Sequence, residues 1–130
     1  MDTATAQRQM VEQQIRTWEV LDERVLEAIS AVPRAAFVPA SHREVAFADA
    51  PIPLACGQTM LPPNLHGRIL QSLDIGPRDS VLEIGTGSGF LTACLARLGA
   101  GIRSIEIHPE LLEFARANLG RLSGPRIELE

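Results

Sequence analysis

Apolar residues recur at helical spacing along the first third of the chain. Between residues 5 and 18, Val11, Ile15 and Trp18 fall at i, i+4 and i+7, one face of an amphipathic helix whose other positions carry Gln and Arg. The single Trp is expected to pack on that face rather than to stack on a ligand. Asp22 suits the N-cap of a second helix, in which Val25, Ile29 and Val32 repeat the spacing and which Pro33 closes. From Pro33 to Pro63 the periodicity disappears. This stretch holds prolines at 33, 39, 51, 53, 62 and 63, yet Phe37, Val38, Phe47, Ile52 and Leu54 give it apolar side chains to bury. An ordered, extended segment is the expectation, most clearly over Asp49 to Leu54, because each proline pushes its predecessor out of the helical region. Leu65, Ile69 and Leu73 then mark a helix that starts after Pro62-Pro63 and ends near Gly76-Pro77.

The pattern changes after residue 78, which divides the chain into an N-terminal helical and acceptor-loop region (1–78) and a second region (79–130) with the alternation of an α/β fold. Val81 to Ile84 reads as a strand, the glycines at 85, 87 and 89 as a tight turn, and Leu91, Leu95 and Leu98 as the apolar side of a helix. Gly99 suits a C-cap, and Ile102 to Ile107 a second strand that Glu106 closes. His108-Pro109 opens a helix with Leu111, Leu112, Ala115 and Leu119 on one side, Ser123-Gly124-Pro125 is a turn, and a third strand begins at Arg126. His108 has no second His nearby in the sequence, so a capping or rim role is expected of it rather than metal binding or catalysis.

A strand that runs through glycines into a helix brings unpaired N–H groups and bare backbone to one place, which suits a ligand lying against the main chain. Spacing decides which ligand. A dinucleotide fingerprint would need its third glycine at position 90, and position 90 is Phe. The observed order, Glu83-x-Gly85-x-Gly87-x-Gly89, resembles motif I of class I S-adenosylmethionine (SAM) methyltransferases. Glu106 lies 21 residues beyond Gly85, close to the interval at which Rossmann-type folds place a ribose-binding carboxylate.

Composition narrows the function classes. The chain has 130 residues, 45% hydrophobic and 22% charged, with a formal charge of −4. Those values suit one globular domain. All the side-chain cations apart from His are Arg, and no basic cluster stands out, so nucleic acid is not the expected partner. No apolar run approaches the roughly 20 residues needed to span a bilayer, and Met1-Asp2-Thr3-Ala4 lacks a signal peptide's basic and apolar regions. A cytoplasmic protein without membrane partners is expected. Cys56 and Cys94 lack metal-ligand spacing; both read as reduced, Cys94 in a helix core and Cys56 in a loop.

Beyond motif I, nearly the whole chain resembles the protein-L-isoaspartate (D-aspartate) O-methyltransferase family. The resemblance runs from Met10-Val11-Glu12-Gln13-Gln14-Ile15-Arg16 through Asp22-Glu23-Arg24-Val25-Leu26, Val32-Pro33-Arg34 and Ala36-Phe37-Val38-Pro39. It continues with Ala46-Phe47-Ala48-Asp49, Gly57-Gln58-Thr59, Val81 to Ala93 and Ser104 to Leu111. The resemblance implies an incomplete Rossmann-like class I SAM methyltransferase fold: about three parallel strands with an N-terminal helical region. It implies SAM as cofactor, no metal, and a damaged protein or peptide as substrate, methylated on L-isoaspartyl or D-aspartyl residues. Glu83, Gly85, Thr86, Gly87, Ser88, Gly89, Glu106 and Ile107 would bind the cofactor. Glu83 would organise the turn near the methionine end, and Glu106 would take the ribose hydroxyls.

Two departures shape the expectations. The family reads Thr-Ile-Ser-x-Pro after Gly-Gln-Thr, whereas this chain reads Thr59-Met60-Leu61-Pro62-Pro63, with Leu61 at the Ser position. Thr59, with Gln58, is then the nearest acceptor-loop candidate for a catalytic role. The family also continues past the third strand. In its strand order 3-2-1-4-5-7-6 the strand Ser80 to Ile84 is central, so here it is expected to be an exposed apolar edge, the chain being a fragment, a truncated gene product, or part of an assembly in which another copy covers that edge. Two further readings share these residues: a SAM-dependent methyltransferase with a different acceptor, which Leu61 favours, and an inactive truncated fragment acting as an interaction module.

Overall fold

The computed structural model describes residues 2–122 and 126–130; the turn expected at Ser123-Gly124-Pro125 lies outside them. Helix α1 (Thr3–Met10) begins at Asp2, whose side chain accepts from the Thr5 N–H at 2.7 Å. The expected single helix to residue 18 does not continue regularly. It widens into a π-turn at Val11–Ile15 and tightens into a 3-10 turn at Arg16–Trp18. The extra residue in the wide turn rotates the residues after it about the helix axis. Trp18 thereby leaves the apolar face and is 49% exposed, and Val20 fills the core instead.

Helix α2 (Glu23–Ala31) is capped by Asp22, which accepts from the Arg24 N–H at 2.9 Å. Its Val25 and Ile29, with Val32 just past its end, are buried as the spacing requires. The proline-rich stretch is ordered but mostly not extended. Pro33 and Pro39 each offer a carbonyl three residues back from an amide, to Ala36 and His42, opening 3-10 turns at Arg34–Phe37 and Ala40–Val45. Proline's fixed φ suits the start of such a turn, so the prolines here coil the chain as well as extend it. Among the described residues of this stretch, Ile52–Pro53 (β1) and Thr59–Met60 (β2) form strands, paired antiparallel with Ile52 opposite Met60.

Helix α3 (Pro63–Leu73) forms where the sequence places it, but rotated. Leu65 and Leu73 are exposed, whereas His66, Gly67 and Leu70 face inward. Gly67 explains the choice: a Cβ there would sit 2.9 Å from Ile15 Cγ2, so this face lets α3 approach the N-terminal segment closely.

Strands β3 (Ser80–Ile84), β4 (Gly101–Ile105) and β5 (Ile127–Leu129) make one parallel sheet in the order β3-β4-β5. Helices α4 (Phe90–Leu98) and α5 (Pro109–Leu119) lie between successive strands, the connection that parallel pairing requires. Strand β4 stops one residue before Glu106, so Glu106 and Ile107 belong to the turn into α5 rather than to the strand. No side chain caps α5 from His108; the Glu106 carboxylate accepts from the His108 N–H instead. Strand β3 is an edge, with Leu82 59% and Ile84 74% exposed. One apolar core spans both regions, joining Ile15, Ile29, Phe37 and Leu70 to Phe90, Cys94 and Ile102. Among the described residues no helix is long and apolar enough to cross a membrane.

Candidate functional site

The glycine turn sits at the C-terminal ends of β3 and β4, where open parallel sheets receive ligands. Gly85 donates to the Ile105 carbonyl at 2.7 Å, and Gly87 donates to Glu106 Oε1 at 2.8 Å. The other oxygen of Glu106 accepts from the His108 N–H at 3.1 Å. Glu106 thus clasps the glycine turn to the turn before α5.

The three glycines divide the work. Gly85 has φ +96°, and a Cβ added there would meet nothing within 4 Å: it would project into open space. That bare surface leaves room against the main chain. Gly89 has φ +92°, and its added Cβ would lie 3.2 Å from Leu119 of α5. Gly89 therefore serves the packing of α4 against α5. Gly87 faces Leu54, 3.6 Å from a built Cβ.

Beside this turn lies a cavity of about 110 Å³, walled by Leu54, Thr59 to Leu61, His66, Glu83, Gly85 to Ser88, Phe90 and Leu91. It brings the glycine turn and the 59–61 segment into one place, which no local sequence pattern could do. Of the expected site residues, Thr59, Glu83, Gly85, Thr86, Gly87 and Ser88 line it. Gly89, Glu106 and Ile107 do not, and Ile107 is 84% exposed. Gln58 also stands off the wall, its side chain folded back to donate to the Cys56 carbonyl at 3.1 Å.

Glu83 is held by hydroxyls. Its Oε1 accepts from Thr92 Oγ1 and, at 2.6 Å, from Ser104 Oγ. With the Ser104 proton committed to Glu83, the Thr86 hydroxyl donates to Ser104 Oγ, 2.6 Å away. Burial raises the Glu83 pKa above the ordinary glutamate value, and the bonds from Ser104 and Thr92 hold it down in part. Ser88 Oγ accepts from the Phe90 N–H at 3.3 Å, and its carbonyl accepts from Asn118 at 3.0 Å, so Ser88 ties the start of α4 to α5.

Sequence reasoning missed a pair behind the cavity. Arg34 is fully buried and donates through Nε to the Ala46 carbonyl at 2.8 Å and through Nη2 to the Leu61 carbonyl at 2.8 Å. Its Nη1 lies 3.0 Å from His66 Nδ1, and His66 packs on Phe90. The signal available was Gly67: a mid-helix glycine marks the close-packed face, which is also the His66 face.

The sequence model of the family described as protein-L-isoaspartate(D-aspartate) O-methyltransferase (PCMT) matches residues 5–129. A protein-L-isoaspartate O-methyltransferase of Aeropyrum pernix is 46% identical over 117 residues, 88% of this chain and 45% of that protein. One from Methanoculleus marisnigri is 44% identical over 121 residues, 93% of this chain and 55% of that protein. The chain thus spans about half the length of the curated relatives it matches. Among solved structures, a Plasmodium falciparum protein described as a protein-L-isoaspartate O-methyltransferase in complex with S-adenosyl-L-homocysteine superposes with a TM-score of 0.82. It is 21% identical, with 95% of this chain and 62% of that chain covered, a likeness of fold.

Proposed function

Because the chain belongs to the protein-L-isoaspartate(D-aspartate) O-methyltransferase family, we propose that it forms the cofactor-cradling part of a SAM-dependent enzyme that methylates L-isoaspartyl and D-aspartyl residues of damaged proteins. The observation that carries this reading is the shared cavity, where bare Gly85 and the Glu83 carboxylate meet the Thr59–Leu61 segment. Glu83, Gly85, Thr86, Gly87 and Ser88 would lie along the methionine end. Glu106 would take the ribose hydroxyls with lone pairs that its two amide bonds leave free. The two free cysteines, Cys56 and Cys94, suit the reducing cytoplasm.

The bound cofactor supplies a methyl group on a sulfonium. The acceptor would be a carboxylate, ionised at neutral pH, so the chain would have no proton to remove from it. The chain's own tasks are alignment and exclusion of water. Its Leu54, Met60, Leu61, Phe90 and Leu91 make the cavity wall largely apolar, and Thr59 offers a hydroxyl at its mouth. This is why the site needs no general base.

Leu61 on that wall favours a second reading, a methyltransferase with a different acceptor. Transfer of labelled methyl from SAM to an isoaspartyl peptide, against the matched aspartyl peptide, tests both. A base-labile ester on the isoaspartyl peptide alone supports repair. Binding of S-adenosylhomocysteine without transfer to either peptide supports the changed acceptor, and absence of both transfer and binding removes the methyltransferase reading.

A further inference from the structure

The cavity contains a hydrogen-bond donor that no described residue satisfies. A guanidinium only donates, so the contact between Arg34 Nη1 and His66 Nδ1 requires Nδ1 to be the acceptor. The neutral ring then carries its proton on Nε2. His66 is 5% exposed and lines the cavity, and Nε2 has no hydrogen-bond partner among the described residues. Behind the ring, Arg34 holds a positive charge without a carboxylate partner among the described residues: its donors go to two carbonyls and His66, and the guanidinium lies 4.9 Å over the Phe90 ring.

Nε2 is not sealed from solvent, so a ligand can take the place of water there, and an anion in the cavity would also offset the buried Arg34 charge. Resting on the function proposed above, we propose that His66, positioned by Arg34, receives the acceptor's carboxylate, with Nε2–H donating to one oxygen and leaving the other free to attack. Arg34 is the positioning residue: it fixes the tautomer and polarises the ring toward its outer N–H. Glu83, the one acidic side chain on the wall among the described residues, has its Oε1 committed to two hydroxyls, and it stands on the glycine-turn side, where the cofactor's cation would lie.

Nuclear magnetic resonance of the full chain with ¹⁵N-labelled histidine tests this by binding, without turnover. Sodium acetate, and then an isoaspartyl peptide, should shift His66 Nε2 saturably, whereas sodium chloride at the same ionic strength should not. The acetate shift should persist with S-adenosylhomocysteine bound. His66→Leu should weaken acetate and peptide binding by more than about tenfold while S-adenosylhomocysteine affinity changes by less than about threefold. His66→Gln, which places an amide N–H near Nε2, should recover most of the loss. Arg34→Lys should redistribute the His66 proton between its ring nitrogens, a signature that a purely structural arginine would not give.

Displacement of acetate from His66 by S-adenosylhomocysteine, but not by methylthioadenosine, which lacks the amino-acid carboxylate, would assign the subsite to the cofactor and overturn the proposal. So would binding of S-adenosylhomocysteine with no response of His66 to acetate or peptide. Acetate binding at His66 in a chain that binds no S-adenosylhomocysteine would instead sink the methyltransferase reading and leave the carboxylate subsite standing.

Discussion

Ser104 stands opposite Glu83 in the parallel β3–β4 register, and its hydroxyl lies 2.6 Å from Glu83 Oε1. The same hydroxyl oxygen accepts from the Thr86 hydroxyl, so one buried serine ties the carboxylate to the glycine turn.

Ser104→Ala leaves the buried Thr86 hydroxyl without its acceptor and takes one donor from Glu83. Urea denaturation should show a loss of about 1–3 kcal/mol. The Glu83 pKa should climb further, because a bond that holds it down is gone. A raised folded pKa means that the folded chain keeps a proton the unfolded chain releases, so Glu83 costs stability as pH rises above the ordinary glutamate range. Carboxyl-carbon titration of the wild type and Ser104→Ala reads the shift directly, and Glu83→Gln should flatten that slope.

His66 gives the opposite dependence. Burial first, and the Arg34 charge second, push its pKa down to about 3 from an ordinary 6.5. Below 6.5 the unfolded ring takes up a proton that the folded ring refuses, so stability is full above that pH and falls as pH drops toward 3. Urea midpoints measured between neutral pH and about pH 4 should fall less steeply in His66→Gln than in the wild type.

Gly85→Ala and Gly89→Ala should separate binding from folding. Both residues have positive φ, so both substitutions strain the backbone by roughly 1 kcal/mol or more. At Gly89 the new methyl also presses on Leu119, and the greater loss of stability is expected there. At Gly85 the methyl meets no described protein atom and enters the space proposed for the ligand, so calorimetry should show the greater loss of S-adenosylhomocysteine affinity there.

Ile84→Lys addresses the bared edge of β3. The side chain is 74% exposed, so the fold should change by no more than about 0.5 kcal/mol. A charge on that edge opposes strand pairing with a second copy. Light scattering of concentrated samples should show less self-association than for the wild type.

Local signals carried far in the second region. Glycines followed by Leu91 and Leu95, and Pro109 followed by Leu111 and Ala115, are short-range patterns that the parallel sheet leaves intact. Tertiary contact overrode local pattern elsewhere. A Leu65–Ile69–Leu73 stripe is a sound reason to bury one side of α3, but the bare Gly67 backbone packs more closely on Ile15 and carries His66 inward. Trp18 lost its place to a π-turn, which no spacing rule anticipates. Of the site, the glycine turn with Glu83 was legible because its chemistry lies in consecutive residues. Arg34 and His66 were not, since they stand 32 residues apart and meet only through folding.

The double clasp of Glu106 would couple recognition to local shape. If Glu106 takes the ribose hydroxyls as proposed, a sugar arriving there would share oxygens that already fix the amides of Gly87 and His108. Hold on the nucleoside and the contour of the bend would then draw on a single pair of acceptors, and neither would change without the other. Nucleoside selectivity would in that sense be a thermodynamic property of the bend's own closure, and substitutions at the mouth of α5 would retune it from outside the pocket.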